Sequence, residues 1–120
     1  LEKPAEASLS LEEEKEIREA LERLWGGGSI AFRSLGKQGP AAMLIAPEDD
    51  RRYREILGDQ PPTHKTLIVN RDHPVYRRYL LSQDVRWLAH TIDWAKLLSG
   101  SLRDNEIAAF LARDWQLLSR

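Results

Sequence analysis

A chain of 120 residues has the length of one domain and buries roughly two-thirds of the surface its unfolded form would expose, enough for a core of its own. Apolar residues make up 42% and charged residues 31%, and 19 acids against 18 bases leave none of the positive excess of a dedicated nucleic-acid binder. The absence of cysteine excludes disulfides and thiolate metal sites, and the longest uncharged run, 38–47, falls far short of the ~20 apolar residues of a membrane-spanning helix.

The start carries no signal-peptide pattern, and a chain beginning at Leu1 reads as a piece of something longer. Residues 1–9 read as a lead-in. Ser10 with Glu13 forms a capping box, and Ile17, Ala20, Leu21 and Leu24 recur at helical spacing up to the stop at Gly26-Gly27-Gly28. Ile30–Arg33 reads as a strand and Ala41–Ala46 as a second. The turn-rich Gly36–Pro40 between them predicts a hairpin. Pro47 suits the first turn of a short helix that Glu48, Asp49 and Asp50 favour and Gly58 stops. Gln60–Thr63 is an extended connector, and the β-branched, apolar Thr66–Val69 predicts a third strand buried in the sheet.

The second half is helical. Asn70, Asp72 and His73 form a corner, Asp72 is placed to cap, and Pro74 starts a helix over Val75–Leu81. Asp84 opens a long helix with Val85, Leu88, Ala89, Ile92, Ala95 and Leu98 at spacings of three and four, closed by Gly100. Asp104 caps the last helix, with Ile107, Ala108, Leu111, Trp115 and Leu118 on one side and Phe110 and Leu117 widening the stripe. The result is an α+β domain: a small three-stranded sheet with flanking helices and a carboxyl-terminal helical pair.

His64, His73 and His90 lack His-x-x-x-His spacing, so no metal site is expected. The sequence shows no recognisable nucleophile setting, and the glycines before Ser29 lack the lysine of a phosphate-binding loop. The run Glu12–Glu14 reads as a solvated helix start. Neither a catalytic nor a cofactor-binding residue is expected. Trp87, Trp94 and Leu97 make a second apolar stripe beside Leu88, Ile92, Ala95 and Leu98, whereas a surface helix needs one. That excess predicts burial against the chain's own domain and against a second copy. An alternative class is a nucleic-acid-binding or adaptor module using Arg51, Arg52, Arg54, Arg77 and Arg78, interleaved with Tyr53, Tyr76 and Tyr79.

The stretch LIVNRDHPVYRRYL, followed by WLAHTIDWAKLLSGSLRDNEIAAFLARDWQLL, resembles the end of heat-shock protein 90 chaperones, particularly the bacterial, HtpG-like members. Asn70, His73 and Pro74 match that family's Asn-Pro-x-His-Pro corner. Gly100, Leu102 and Asp104 match the link between its last helices, and Phe110, Leu117 and Leu118 match the final helix. SLGKQGPAAMLIAPEDD is similar to the family's preceding hairpin, so the likeness spans roughly residues 10–120. Asn105 stands where the family usually has proline.

The resemblance implies a carboxyl-terminal dimerisation domain over 10–120, with an α/β part at 10–81 and dimerisation helices at 82–120 that form a four-helix bundle with those of a partner copy. The implied interface is Val85, Leu88, Ile92, Ala95, Leu98, Ile107, Leu111, Trp115 and Leu118. It further implies a cytoplasmic stress-response chaperone assisting protein folding, with unfolded or partly folded clients, no nucleic acid and no membrane. ATP and Mg would bind in a separate amino-terminal domain, so this segment would carry neither an enzyme activity nor a cofactor. The segment matching the family's methionine-bearing client helix, Asp49–Leu57, is shorter and mostly charged, leaving Tyr53, Ile56 and Leu57 for client contact. Ending at Arg120 without a Met-Glu-Glu-Val-Asp tail, the chain is not expected to bind tetratricopeptide co-chaperones.

Overall fold

A strand flanked on both sides and covered on both faces is apolar along its middle, and Thr66–Asn70 meets that condition, with Leu67, Ile68 and Val69 between two polar ends and every residue buried. The computed structural model describes residues 9–26, 28–58 and 65–118, the side chains of Asp50, Arg52, Tyr53 and Leu118 excepted. The expected connector Gln60–Thr63 and His64 lie outside the described residues. The order is α1 (Leu11–Trp25), β1 (Ser29–Arg33), β2 (Ala42–Ile45), α2 (Asp50–Leu57), β3 (Thr66–Asn70), α3 (Val75–Ser82), α4 (Arg86–Leu98) and α5 (Asp104–Leu118). This is an α+β fold with a three-stranded mixed sheet.

The expected hairpin does not form. β3 lies between the other two strands, pairing parallel with β1 (Ile30 opposite Leu67) and antiparallel with β2 (Ala42 opposite Val69). The reason lies at the end of β3. Asn70 takes four hydrogen bonds from the 34–41 loop and its own corner: its Oδ1 accepts from the Leu35 and Asp72 N–H groups, both at 3.0 Å. Its Nδ2 donates to the carbonyls of Gly36 (2.7 Å) and Pro40 (2.9 Å). Asp72 accepts from Ser34 Oγ and from the Gly36 N–H (3.1 Å). The loop therefore wraps the end of β3, and the two strands it joins stand one strand apart. A Cβ on Gly39 would lie 2.3 Å from the Leu35 carbonyl oxygen, so only glycine fits this wrap.

Side-chain alternation divides the sheet into two faces. Ile30, Phe32, Ala42, Leu67 and Val69 join Ile17 and Leu21 of α1, Tyr76 and Tyr79 of α3, and Trp87, Leu88, Ile92 and Ala95 of α4 in the main core. Ile45 and Ile68 face the other way, against Ile56 and Leu57 of α2. α4 is the hub, packed on β2 and against α1, α3 and α5. Tyr76, wholly buried, donates from its hydroxyl to the Ala41 carbonyl (3.0 Å), and burial pushes its phenol far above the ordinary range.

The helix ends follow local chemistry. Ser10 Oγ accepts from the Glu13 N–H (3.2 Å) while Glu13 Oε1 accepts from the Ser10 N–H (2.9 Å), as the capping box predicts. The acid run of α1 is not merely solvated: Glu13 bonds Arg77 at 2.7 Å and the buried Glu14 carboxylate lies 2.9 Å from Arg71 Nε. The Ser10 N–H first, and the Arg77 guanidinium after it, hold the Glu13 carboxyl below its usual range. Pro47 precedes α2 rather than starting it, because a turn closes first, from the Asp49 N–H to the Ala46 carbonyl (3.0 Å). Asp84 Oδ1 accepts from the Arg86 N–H (3.0 Å) at the start of α4. α4 ends in a Schellman-type turn, with the Ser101 N–H reaching the Lys96 carbonyl (2.8 Å) and Gly100 at φ +75°. Asp104 is the first residue of α5 rather than its cap, and Glu106 reaches back to the Arg103 N–H (2.9 Å).

Candidate dimer interface

α4 and α5 form an antiparallel hairpin whose seam is part aromatic and part ionic. Trp94 meets Phe110 edge-on at 5.9 Å, and His90 stacks on Phe110 at 4.3 Å. His90 Nε2 lies 2.7 Å from Asp114 Oδ1, and Arg113 bonds Asp93 at 2.5 Å. Near the other end, Leu117 shares a cleft of about 300 Å³ with Trp87, Leu81 and Arg78. Phe110 and Leu117 are the buried apolar anchors of α5, and burying two such side chains favours docking by about 3–6 kcal/mol before ordering costs. A 15-residue helix is marginal in isolation, so this seam is what keeps α5 folded.

The second stripe of α4 is thereby accounted for within one protomer. Trp87 and Trp94 turn towards α5 and α3, and Leu88, Ile92 and Ala95 of the first stripe turn into the core, so the double stripe does not require a second copy. Leu88, Ile92 and Ala95, expected at the interface, are sealed inside the protomer, Leu88 with no exposed surface. They are core residues, because α4 has the sheet beneath it and helices around it.

The open apolar surface lies elsewhere. Leu111 is 58% exposed and Trp115 is 76% exposed, and with the exposed Ala108 and Ala112 they recur at spacings of three and four along the outer side of α5. Phe110 and Leu117, which in the sequence only widen the stripe, form the inward side. Leu98, at the end of α4, is 52% exposed, and Val85, at its start, is also open. Ile107 is half-buried, and the Leu118 side chain lies outside the description. Of the nine expected interface residues, then, Val85, Leu98, Leu111 and Trp115 stand on the surface, and the last two share one helix face.

Two of the positions expected to touch clients line the second face of the sheet. Ile56 and Leu57 are half-buried against Ile45 and Ile68, serving as the lining of the second sheet face, and the Tyr53 side chain lies outside the description. The two arginine clusters are separated by the sheet, Arg51 and Arg54 on α2 covering one face and Arg77 and Arg78 on α3 covering the other. Arg77 bonds Glu13, Arg78 lies over the Trp87 ring at 5.8 Å, and Arg51 pairs with Glu55 at 3.6 Å. They do not form one stacking surface. Among the described residues no group of three or more His, Asp or Glu side chains is placed to hold a metal ion, and no helix is long and apolar enough to cross a membrane.

His73 closes the corner. Its Nδ1 accepts from the Val75 N–H (3.2 Å), the capping role expected of Asp72, whose carboxylate is taken up by Ser34 and Gly36 instead. Its ring meets Trp94 edge-on at 5.3 Å. Burial, with help from Arg78 and against the opposing pull of Asp114, lowers its pKa from the ordinary value near 6.5. A histidine whose folded pKa is depressed stabilises fully above the unfolded value and loses that contribution as pH falls through the folded one. The midpoint of thermal unfolding should therefore drop as pH is taken from about 7.5 to about 5. His73→Asn, whose Oδ1 replaces Nδ1 as the acceptor, should reduce the drop; an unaltered pH profile in that variant would show that another group governs it.

No family model matches the chain, and no curated protein matches its sequence closely enough to count as a relative.

Proposed function

We propose that the chain is a homodimerisation module of a heat-shock protein 90-type, ATP-dependent chaperone of the cytoplasm, and that two copies meet through the outer side of α5 with the end of α4. The observation that carries this reading is the doubly apolar character of α5. Phe110 and Leu117 dock it on its own protomer, while Ala108, Leu111, Ala112 and Trp115 leave a second seam open at the spacing helices use to interdigitate. Two such α4–α5 hairpins, joined about a twofold axis, make a four-helix bundle in which the same patch meets itself.

In this role the module is a tether and performs no chemistry. A stable homodimer contact typically buries about 2,000 Å² or more. Holding two ATPase arms at about millimolar effective concentration makes their transient contact intramolecular. The parent chaperone would bind ATP and Mg elsewhere and act on partly folded clients. The resemblance in the corner, link and last helix supplies this parentage. Sedimentation equilibrium of the chain tests the core of the proposal: a dimer at micromolar concentration is expected, and a monomer at several hundred micromolar would end it.

A further inference from the structure

β1 is an edge strand, and its pairing with β3 fixes which backbone groups point outward. The Ser29 N–H donates to the Lys65 carbonyl (3.3 Å), and the Arg33 carbonyl accepts from the Arg71 N–H (3.0 Å). The N–H and C=O of one strand residue point to the same side, and successive residues alternate. Ser29, Ala31 and Arg33 therefore face β3, while the backbone groups of Ile30 and Phe32 point away from the sheet. The opposite edge strand, β2, is only four residues long and is packed against α4. β1 pairs with no second strand among the described residues.

Both outward carbonyls of β1 end on guanidinium groups. Arg18, reaching over from α1, donates through Nη1 to the Ile30 carbonyl (2.6 Å) and lies over the Phe32 ring at 5.1 Å. Arg33 donates to the Phe32 carbonyl (2.7 Å), and Arg71 adds a second bond to the same oxygen at 3.2 Å. The ion pair of Arg71 with the buried Glu14 carboxylate, at 2.9 Å, sets that third side chain in place. An added strand would run about 4.8 Å from β1 and bring its N–H nitrogens to about 2.9 Å from these two oxygens. Guanidinium nitrogens already stand at those positions. Their bonds are charge-assisted and stronger than those of the neutral amides that would replace them.

We propose that Arg18, Arg33 and Arg71 are a clasp that holds β1 closed to strand addition, and that the occupant it excludes is β1 of a second copy. The edge is self-complementary. In an antiparallel pair centred on Ala31, Ile30 of each copy stands opposite Phe32 of the other, and each opposed pair exchanges two hydrogen bonds. Placed beside the α5 contact, an open β1 would give the chain two self-complementary patches, which link copies into open-ended chains instead of a closed pair. This consequence for assembly rests on the dimer reading above; the clasp itself does not.

Arg18→Met combined with Arg33→Thr removes the two shorter bonds and leaves Arg71 to Glu14. Sedimentation velocity should show this variant growing beyond the mass of the unaltered chain. Placed in a Leu111→Asp background, it should pair where Leu111→Asp alone is monomeric. Residue-resolved amide exchange identifies the contact. The Ile30 and Phe32 N–H groups should exchange freely in the unaltered chain, beside a protected Ala31, and slow at least roughly tenfold in the associated variant. If the double variant does not fold by circular dichroism, Arg18→Leu alone, which frees the Ile30 carbonyl, gives the same readout. A folded variant of unchanged mass at several hundred micromolar overturns the clasp, as does association that leaves Ile30 and Phe32 exchanging freely. A monomeric unaltered chain whose variant pairs through β1 keeps the clasp and ends the dimer reading. A dimer whose clasp variant remains a dimer does the reverse.

Discussion

Leu111→Asp should turn the proposed dimer into a folded monomer, whereas Leu88→Asp should unfold the chain. Both residues sit on the carboxyl-terminal helices and both belong to the expected interface, yet the structure separates them by burial: 58% exposure against none. Removing a core leucine alone costs about 2–5 kcal/mol. An unpaired carboxylate in its place adds desolvation, against a total stability of about 5–15 kcal/mol for a domain. At the exposed Leu111 the same change falls within about 0.5 kcal/mol for the isolated protomer. At the centre of a contact it costs at least about 2 kcal/mol, and a twofold interface carries the substitution twice, so about 4 kcal/mol and a roughly thousandfold weaker association are expected. Sedimentation equilibrium reads the mass and far-ultraviolet circular dichroism reads the fold. A Leu111→Asp chain still dimeric at low micromolar concentration would show that α5 is not the contact; a folded Leu88→Asp chain would show that α4 is not the core.

What the sequence revealed and what it withheld divide along the range of the interactions. The capping box at Ser10 and Glu13, the stop at Gly100 and the continuous apolar run of β3 are set by neighbours a few residues apart, and each is where the pattern puts it. Strand order is set by pairing between distant segments. The polar turn 36–40 looks like a hairpin turn whichever strand lies next to which, and the deciding residue, Asn70, sits thirty or more residues beyond the groups it binds. The helical stripes suffer a related ambiguity. Periodicity says which residues share a side of a helix but not what covers that side. Leu88, Ile92 and Ala95 share the expected contact stripe yet lie in the protomer's own core, and Phe110 and Leu117, which the pattern adds to the stripe of Leu111 and Trp115, form the opposite, inward side of α5. The His90–Asp114 pair had a usable signal. The two stand equally far from Leu102 on either side of the link, the positions that face each other across an antiparallel helical hairpin.

Among alanine substitutions of the described polar residues, Asn70→Ala should be the most damaging, at about 3–4 kcal/mol. Asn70 has no exposed surface, and both donors and both acceptors of its side chain are used, which is the full capacity of an amide. Truncation leaves two N–H groups and two carbonyls without their partner; each would cost about 1–3 kcal/mol if sealed from water. The estimate stays below the sum because the loop is partly exposed and solvent can reach some of the orphaned groups. Asn70→Asp is nearly isosteric and should be worse at neutral pH, since its second oxygen would face the Gly36 and Pro40 carbonyls that now receive the Nδ2 protons. Two carbonyl oxygens raise the pKa of that carboxyl in the folded state above its unfolded value near 3.9. A raised carboxyl stabilises below its unfolded pKa and loses that contribution as pH climbs through its folded one, so Asn70→Asp should recover relative to Asn70→Ala as the medium is acidified. This is opposite in direction to the effect of His73. Urea unfolding of the two variants across the pH range measures the difference. A constant gap between them would mean that the loop has re-formed without the carbonyl contacts, and that the wrap around β3 does not depend on the amide.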